Sequence, residues 1–249
     1  MRVKVIHHTA ETQKNMIGLL PILNSKAEII ELDFVFTRDG IPVWTHNVFP
    51  TQLQKYESIE SKELKLSEKA LTLYSVLDII NKNHKLMLDI KYVPRDLLKS
   101  DSFKKLLEYL NSYDKSGGIQ IQTLDLGLLQ KLSDSGFSNI EPGLIINVLS
   151  KNYINKSSIP RIGFTSISSE LWERNSGKFI KDCNDKELFK DVELYAWTWD
   201  IPSRFQSIIP SRPETEERIQ NFIDMGADGI ITGNPNMVLT LVNSQNKKN

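Results

Sequence analysis

Cysteine is almost absent from this sequence, since Cys183 is the only one among 249 residues. An intrachain disulfide is therefore excluded, and the composition fits a reducing compartment without requiring one. Long apolar runs are missing too, because charged residues interrupt every candidate before it reaches membrane-spanning length. The N-terminus leaves no room for a signal peptide, because residues 3–7 already have the pattern of a strand. We therefore expect a cytoplasmic protein without a membrane span.

Neither sign of charge is in excess. Lysine and arginine together number 31, as do aspartate and glutamate, so the formal net charge is zero. A neutral balance gives no electrostatic reason to expect nucleic acid as a partner. A local basic pocket for one phosphate group is still compatible with this balance, and a small molecule is the expected partner.

Apolar segments with strand and helix patterns alternate along the chain without a linker between them. The predicted strands cover residues 3–7, a segment from 29, and 41–45, 85–91, 119–123, 143–147, 162–164, 193–198 and 228–232; the clearer helices cover 15–23, a segment from 72, and 96–113, 126–132, 214–225 and 236–242. This alternation favours a parallel barrel or a doubly wound sheet. The glycine-rich phosphate loop of a dinucleotide-binding sheet is missing, which favours a single (β/α)8 TIM barrel over residues 1–249. A polar segment at about 48–70 is predicted as an excursion at the barrel mouth.

Residues 29–47 contain the most informative pattern. Glu31 and Asp33 lie two positions apart in an apolar strand, so they share one face. Two buried carboxylates repel each other unless a cation or another partner compensates them. An Asp-Gly turn then leads to a second extended segment that ends at His46. The residues predict a metal site with an acid–base residue beside it, and the alternative is a structural ion cluster.

Further polar residues fall at predicted strand ends, where a barrel carries its chemistry. They are His7 after the first strand, Asp89 and Lys91 on the 85–91 strand, and Trp197 late in the 193–198 strand. Trp197 is either a wall of the substrate pocket or a core residue.

The order of these motifs resembles the glycerophosphodiester phosphodiesterase family over nearly the whole chain. The matching elements are His, Glu-x-Asp, T-x-D-G-x-P-V-x-x-H and carboxylate-Ile-Lys, followed by TLDLGLLQKL, YAWTWD and GADGIITGNP. The resemblance implies a (β/α)8 barrel that cleaves phosphodiesters in lipid metabolism and uses one divalent cation, Mg²⁺ or Ca²⁺. It further implies residue roles: His7 and His46 as the acid–base pair, Glu31, Asp33 and Asp89 as metal ligands, and Lys91 as a phosphate contact.

The sequence departs from the family pattern mainly at substrate contacts. The usual His-Arg-Gly is here His7-His8-Thr9, so His8 stands where a phosphate-binding arginine is expected. We predict that His8 contacts phosphate, and the alternative is that strand alternation turns it toward the helices. The third ligand implied by the resemblance is Asp89, whereas glutamate is common there in the family. The related sphingomyelinase D and phospholipase D branch also carries this shorter acid. Two other functions therefore stay open: a lyase-like reaction that forms a cyclic phosphate, and a non-catalytic barrel that binds a phosphorylated ligand.

Overall fold

The computed structural model describes residues 2–9, 16–44, 71–80, 84–90, 93, 95–113, 118–146, 159–173, 178–185, 189–198 and 214–246. None of the helices in these ranges combines the length and the apolar character needed to cross a membrane. The expected polar excursion at 48–70 lies outside the described residues.

Eight parallel strands form a closed barrel, which confirms the predicted fold class. The strands are β1 (Lys4–His8), β2 (Ile29–Phe36), β4 (Lys85–Ile90), β5 (Ile119–Thr123), β6 (Ile140–Ile146), β7 (Phe164–Ser168), β8 (Glu193–Trp197) and β9 (Gly229–Thr232). Closure follows from β1, which pairs in parallel with both β2 and β9. A further strand, β3 (Pro42–Trp44), pairs antiparallel with β2 and forms the predicted hairpin. Gly40 has a φ of 79° in its turn, where a residue without a side chain is favoured.

The helices follow the strands as the alternation predicted. In the described residues they are α1 (Met16–Leu23), α2 (Leu73–Ile79), α3 (Arg95–Leu98), α4 (Asp101–Ser112), α5 (Leu126–Asp134), α6 (Ser169–Glu173), α7 (Lys178–Asp185), α8 (Glu216–Asp224) and α9 (Pro235–Asn246).

Three predicted boundaries were wrong. The helix predicted over 96–113 is two helices, because the hydroxyl of Ser100 accepts a hydrogen bond from the backbone of Phe103 and starts a new helix there. Strand β6 begins at Ile140, before the predicted Gly143. Strand β7 runs from Phe164 to Ser168 instead of 162–164, because the strand pairs along its length with β6 and β8 in spite of its polar residues.

Two apolar clusters distinguish the two faces of the barrel wall. The smaller cluster fills the barrel interior and consists of Ile6, Ile29, Met87, Phe164, Tyr195 and Ile231. The larger cluster joins the outer face of the strands to the helices; Val5 of β1 and Leu19 of α1 both belong to it. Because side chains alternate along a strand, these memberships fix which residues face the interior.

Gly143 is one of the interior-facing positions of β6. A Cβ placed on this glycine would lie only 2.2 Å from Cζ of Phe164 on the neighbouring strand. The Phe164 ring therefore occupies the space that a side chain at 143 would need, and it stacks on Tyr195 with 5.3 Å between ring centroids.

A polar network lies at the N-terminal end of the barrel interior. The Nζ of Lys4 donates to both Glu193 oxygens at 2.5 and 2.7 Å, and the hydroxyl of Tyr195 also donates to Glu193. Gln120 donates to Tyr195 at 3.0 Å and to Glu141 at 2.8 Å, and Lys85 donates to Glu141 at 2.9 Å. Two lysines and two glutamates thus balance one another, which lets polar groups occupy this end of the barrel.

The charge on Glu193 depends on this network. Burial alone would raise the pKa of its carboxyl group, but hydrogen bonds from Lys4 and Tyr195, with the charges of Lys4 and Lys85, hold that pKa below its usual value. Burial is also the main reason why the pKa of Tyr195 is raised, so its phenol stays a hydrogen-bond donor.

The Glu193→Gln variant is expected to lose a contribution to stability that depends on pH. A depressed folded-state pKa stabilises the fold above the usual value of 4.5, and that stabilisation disappears as the pH falls through the folded-state pKa. The contribution is below about 1 kcal/mol, because solvent screens this half-buried group. Urea unfolding of parent and variant from about pH 7 to pH 3 measures it. A stability difference that stays constant over this range would contradict the prediction.

Candidate active site

The register of β1 decides which of its two histidines faces the barrel interior. Ile6 pairs with Ile29 of β2 and Ile231 of β9, and all three belong to the interior cluster. His8 has the same parity as Ile6 and pairs with Glu31. The alternative that His8 faces the helices is therefore wrong, because within β1 His8 has the interior-facing parity of Ile6.

His7 lies on the opposite face of β1. It pairs with Ile30, a member of the outer cluster, and shares the parity of Val3 and Val5 in that cluster. Its Nδ1 is buried and has no hydrogen bond with any described residue. Burial, together with a smaller effect of His84, lowers the pKa of His7 below 6.5, so this imidazole stays neutral at neutral pH. The catalytic role predicted for His7 stays a prediction, and its placement does not bring it beside the carboxylates.

The interior face of β2 and β4 carries three buried carboxylates. Glu31 and Asp33 have exposed fractions of 1% and 0%, and Asp89 has 2%. Asp33 pairs in register with Asp89, so the two carboxylates are neighbours on adjacent strands. This proximity is what the spacing Glu-x-Asp and the strand order predicted.

His8 completes this group. Its Nε2 lies 3.6 Å from Oε2 of Glu31, and one ligand atom each from His8, Glu31 and Asp33 lie within 4.8 Å of one another. His8 also contacts Trp197 of β8, with 6.2 Å between the ring centroids at an interplanar angle of 65°. Trp197 packs against the interior cluster, and its contact with His8 places it at the same end of the barrel.

The donor atoms of this group fit a divalent cation. Mg²⁺ and Ca²⁺ prefer oxygen ligands, and Glu31, Asp33 and Asp89 offer carboxylate oxygens from adjacent strands. A cation bound there would also offset the repulsion between neighbouring ionised carboxylates. Among the described residues, the ligand atoms within 4.8 Å of one another come from His8, Glu31 and Asp33, whereas Asp89 is the in-register neighbour of Asp33 on β4. The ligand roles predicted for Glu31, Asp33 and Asp89 stay predictions.

Three polar side chains on β5 and β7 were not predicted. Gln122 of β5 is next to Asp89 in register, and its Oε1 accepts a hydrogen bond of 2.5 Å from the hydroxyl of Ser166 on β7. Ser168, two residues further along β7, is buried with the same parity. The alternation of isoleucine and glutamine in IQIQT was a signal that could have identified Gln122 as an interior polar residue.

Two of the predicted site residues lie outside the described residues. They are His46, which follows β3, and Lys91, which follows β4. Their predicted roles in proton transfer and phosphate binding stay predictions.

The fold and the site define a (β/α)8-barrel enzyme whose polar residues gather where the parallel strands end. A comparison with protein-family models gives the family. Residues 23–237 match the model of the glycerophosphoryl diester phosphodiesterase family, so the chain belongs to that family. It is accordingly a phosphoric diester hydrolase by class.

Solved structures with the same fold include members of this family. A glycerophosphodiester phosphodiesterase from Parabacteroides distasonis is similar with a TM-score of 0.71 and 16% identity, covering 98% of each chain. A phosphodiesterase from Oleispira antarctica, solved in complex with the product sn-glycerol-3-phosphate, has a TM-score of 0.69 and 13% identity over 97% of each chain. At these identities the similarity supports the fold. A comparison with curated protein sequences found no match.

Proposed function

We propose that the protein hydrolyses a glycerophosphodiester to glycerol phosphate and an alcohol. In this proposal a divalent cation stabilises charge on the phosphate, and two histidines transfer protons. The observation that carries this proposal is the buried group of Glu31, Asp33 and Asp89 with His8 at its edge, at the end of the barrel where such enzymes bind substrates.

The three carboxylates would hold one cation, Mg²⁺ or Ca²⁺. When bound, such a cation supplies a positive charge that stabilises the charge developing on the phosphoryl oxygens. The carboxylates themselves would fix its position, because they come from adjacent strands of the barrel.

Proton transfer is assigned to His8 together with His46. One imidazole takes a proton from the attacking hydroxyl and the other protonates the leaving alkoxide, which suits a side chain with a pKa near working pH. Oε2 of Glu31 lies 3.6 Å from Nε2 of His8, a distance at which the two side chains form an ion pair when the imidazole is protonated. This assignment transfers the role predicted for His7 to its neighbour, because His8 shares the interior face with the carboxylates. Lys91 would contact the phosphate, and Trp197 would form a wall of the pocket.

Family membership supports this choice of substrate class. The product complex of the Oleispira antarctica phosphodiesterase shows that a barrel of this shape binds glycerol phosphate in that protein. A cytoplasmic location is part of the proposal, supported by the scarcity of cysteine.

A metal-by-substrate assay tests the proposed function. Purified protein freed of metal is incubated with Mg²⁺ or Ca²⁺ and a glycerophosphodiester such as glycerophosphocholine, and products are followed by phosphorus NMR. We expect metal-dependent formation of glycerol phosphate. A cyclic phosphate as the final product would instead establish the lyase-like reaction, and the absence of turnover with either cation would contradict catalysis of this kind.

A further inference from the structure

The barrel interior has a neutral polar side that adjoins its acidic side. The acidic side is formed by β2 and β4, which carry Glu31, Asp33 and Asp89. The next strands, β5 and β7, carry the uncharged side chains of Gln122, Ser166 and Ser168. The two sides meet, since Gln122 is in register with Asp89.

Ser168 is a buried hydroxyl without a protein partner in the described part of the chain. Its exposed fraction is 5%, and its Oγ has no hydrogen bond with a described residue. It faces the interior, because Phe164 of the same parity belongs to the interior cluster. Its neighbour in register is Trp197, which contacts His8. The hydroxyl therefore points into the same space as the proposed catalytic groups, and a buried hydroxyl is costly unless something pairs with it.

Gln122 offers a second donor to this space. Its carbonyl oxygen is already engaged by Ser166, which fixes the side chain across β6 at the position of Gly143. Its amide nitrogen has no hydrogen bond within the ranges that the structure describes. An engaged oxygen and an available amide nitrogen make Gln122 a donor toward a ligand.

We propose that Ser168 and Gln122 form a subsite for the free hydroxyl groups of the glyceryl part of the substrate. This inference rests on the proposed function, which puts the phosphate against the acidic side and its cation. The remaining portion of a glycerophosphodiester next to the phosphate is uncharged and bears hydroxyls. The uncharged donors and acceptors of Ser168 and Gln122 match hydroxyl groups. The acidic side, by contrast, can bind the phosphate only through a cation, because its carboxylates alone would repel it. The subsite selects substrates that carry these hydroxyls, because a site built to pair with a hydroxyl rejects an analogue that lacks it.

The Ser168→Ala variant tests the subsite through the ratio of two substrates. Glycerophosphocholine carries the glyceryl hydroxyls, and bis(4-nitrophenyl) phosphate does not. We expect kcat/KM for the first to fall about tenfold and kcat/KM for the second to change by less than about twofold, because one neutral hydrogen bond is lost only with the first. Equal losses for both substrates, or no loss for either, would overturn the subsite.

The matched control is Thr165→Val on the same strand. Thr165 is also fully buried, but its hydroxyl donates to the carbonyl of Leu144 at 2.8 Å and its parity is that of the outer face. Deleting this hydroxyl is expected to lower the melting temperature and to leave the substrate ratio unchanged. A change of the ratio in Thr165→Val equal to that in Ser168→Ala would show that the effect is structural.

A binding measurement separates failure of the subsite from failure of the proposed function. By calorimetry in the presence of Mg²⁺, the parent is expected to bind sn-glycerol-3-phosphate more tightly than methyl phosphate, and Ser168→Ala is expected to lose this preference. If turnover is absent but the preference exists and is lost in the variant, hydrolysis fails and the subsite stands. If turnover is present but the parent shows no preference, the subsite fails and hydrolysis stands.

Discussion

Replacing His8 with glutamine is expected to lower kcat by about 100- to 10,000-fold, the range that general acid–base residues contribute. Glutamine retains hydrogen-bonding groups but cannot transfer a proton at working pH. The same replacement at His7 is expected to leave kcat within about tenfold of the parent, because His7 pairs with Ile30 of the outer cluster and has the opposite parity to His8. Steady-state kinetics at saturating metal measures both variants.

The two neighbouring variants serve as controls for each other. Circular dichroism and melting temperature establish that each is folded, so a loss of kcat in His8→Gln is not a loss of protein. If His7→Gln loses activity while His8→Gln retains it, the role first predicted for His7 is right and the assignment from strand register is wrong. Equal, small losses in both would remove the first strand from proton transfer altogether.

Replacing Asp33 with asparagine is expected to weaken the affinity for Mg²⁺ or Ca²⁺ by at least about 100-fold, since even groups that only support a ligand cost 10- to 100-fold. Calorimetric titration measures the affinity, and thermal unfolding with and without metal measures the shift that the metal adds.

The Glu193→Gln variant is the matched control for Asp33→Asn. It also neutralises one carboxylate of the barrel interior, but at the N-terminal end, where Glu193 is bonded to Lys4 and Tyr195. Its metal affinity is expected to equal that of the parent. Undiminished affinity in Asp33→Asn, or equal losses in both variants, would contradict a metal site on β2.

The barrel itself was predictable from the sequence because the alternation of strands and helices is a property of the whole chain. Errors of a few residues at single elements do not change this alternation. Strand β7 is an example: Phe164–Ser168 contains three hydroxyl side chains, and for that reason the sequence pattern predicted an end of the strand that was too early. The pairing of β7 with both neighbours satisfies its backbone, and that tertiary contribution is not visible in the local sequence.

The orientation of the two histidines was harder to predict. In a parallel barrel both faces of a strand are buried, so Val5 and Ile6 are equally apolar and give no signal of which face is inward. Only the pairing of Ile6 with Ile29 and Ile231 settles the parity, and pairing is a long-range property. The orientation of Glu31 and Asp33 was not ambiguous in this way, because two acids at alternate positions share one face of the strand and mark that face as the polar one.

Gly143 has a consequence for how sequences of this fold can change. Its missing side chain leaves the space that the Phe164 ring fills, and it lies on the strand between those of Gln122 and Ser166, which bond across it. A larger residue at 143 is compatible with this barrel only when residue 164 becomes smaller. Positions 143 and 164 are therefore expected to covary among relatives. A large residue at 143 with a small one at 164 would indicate a barrel interior with a differently shaped cavity.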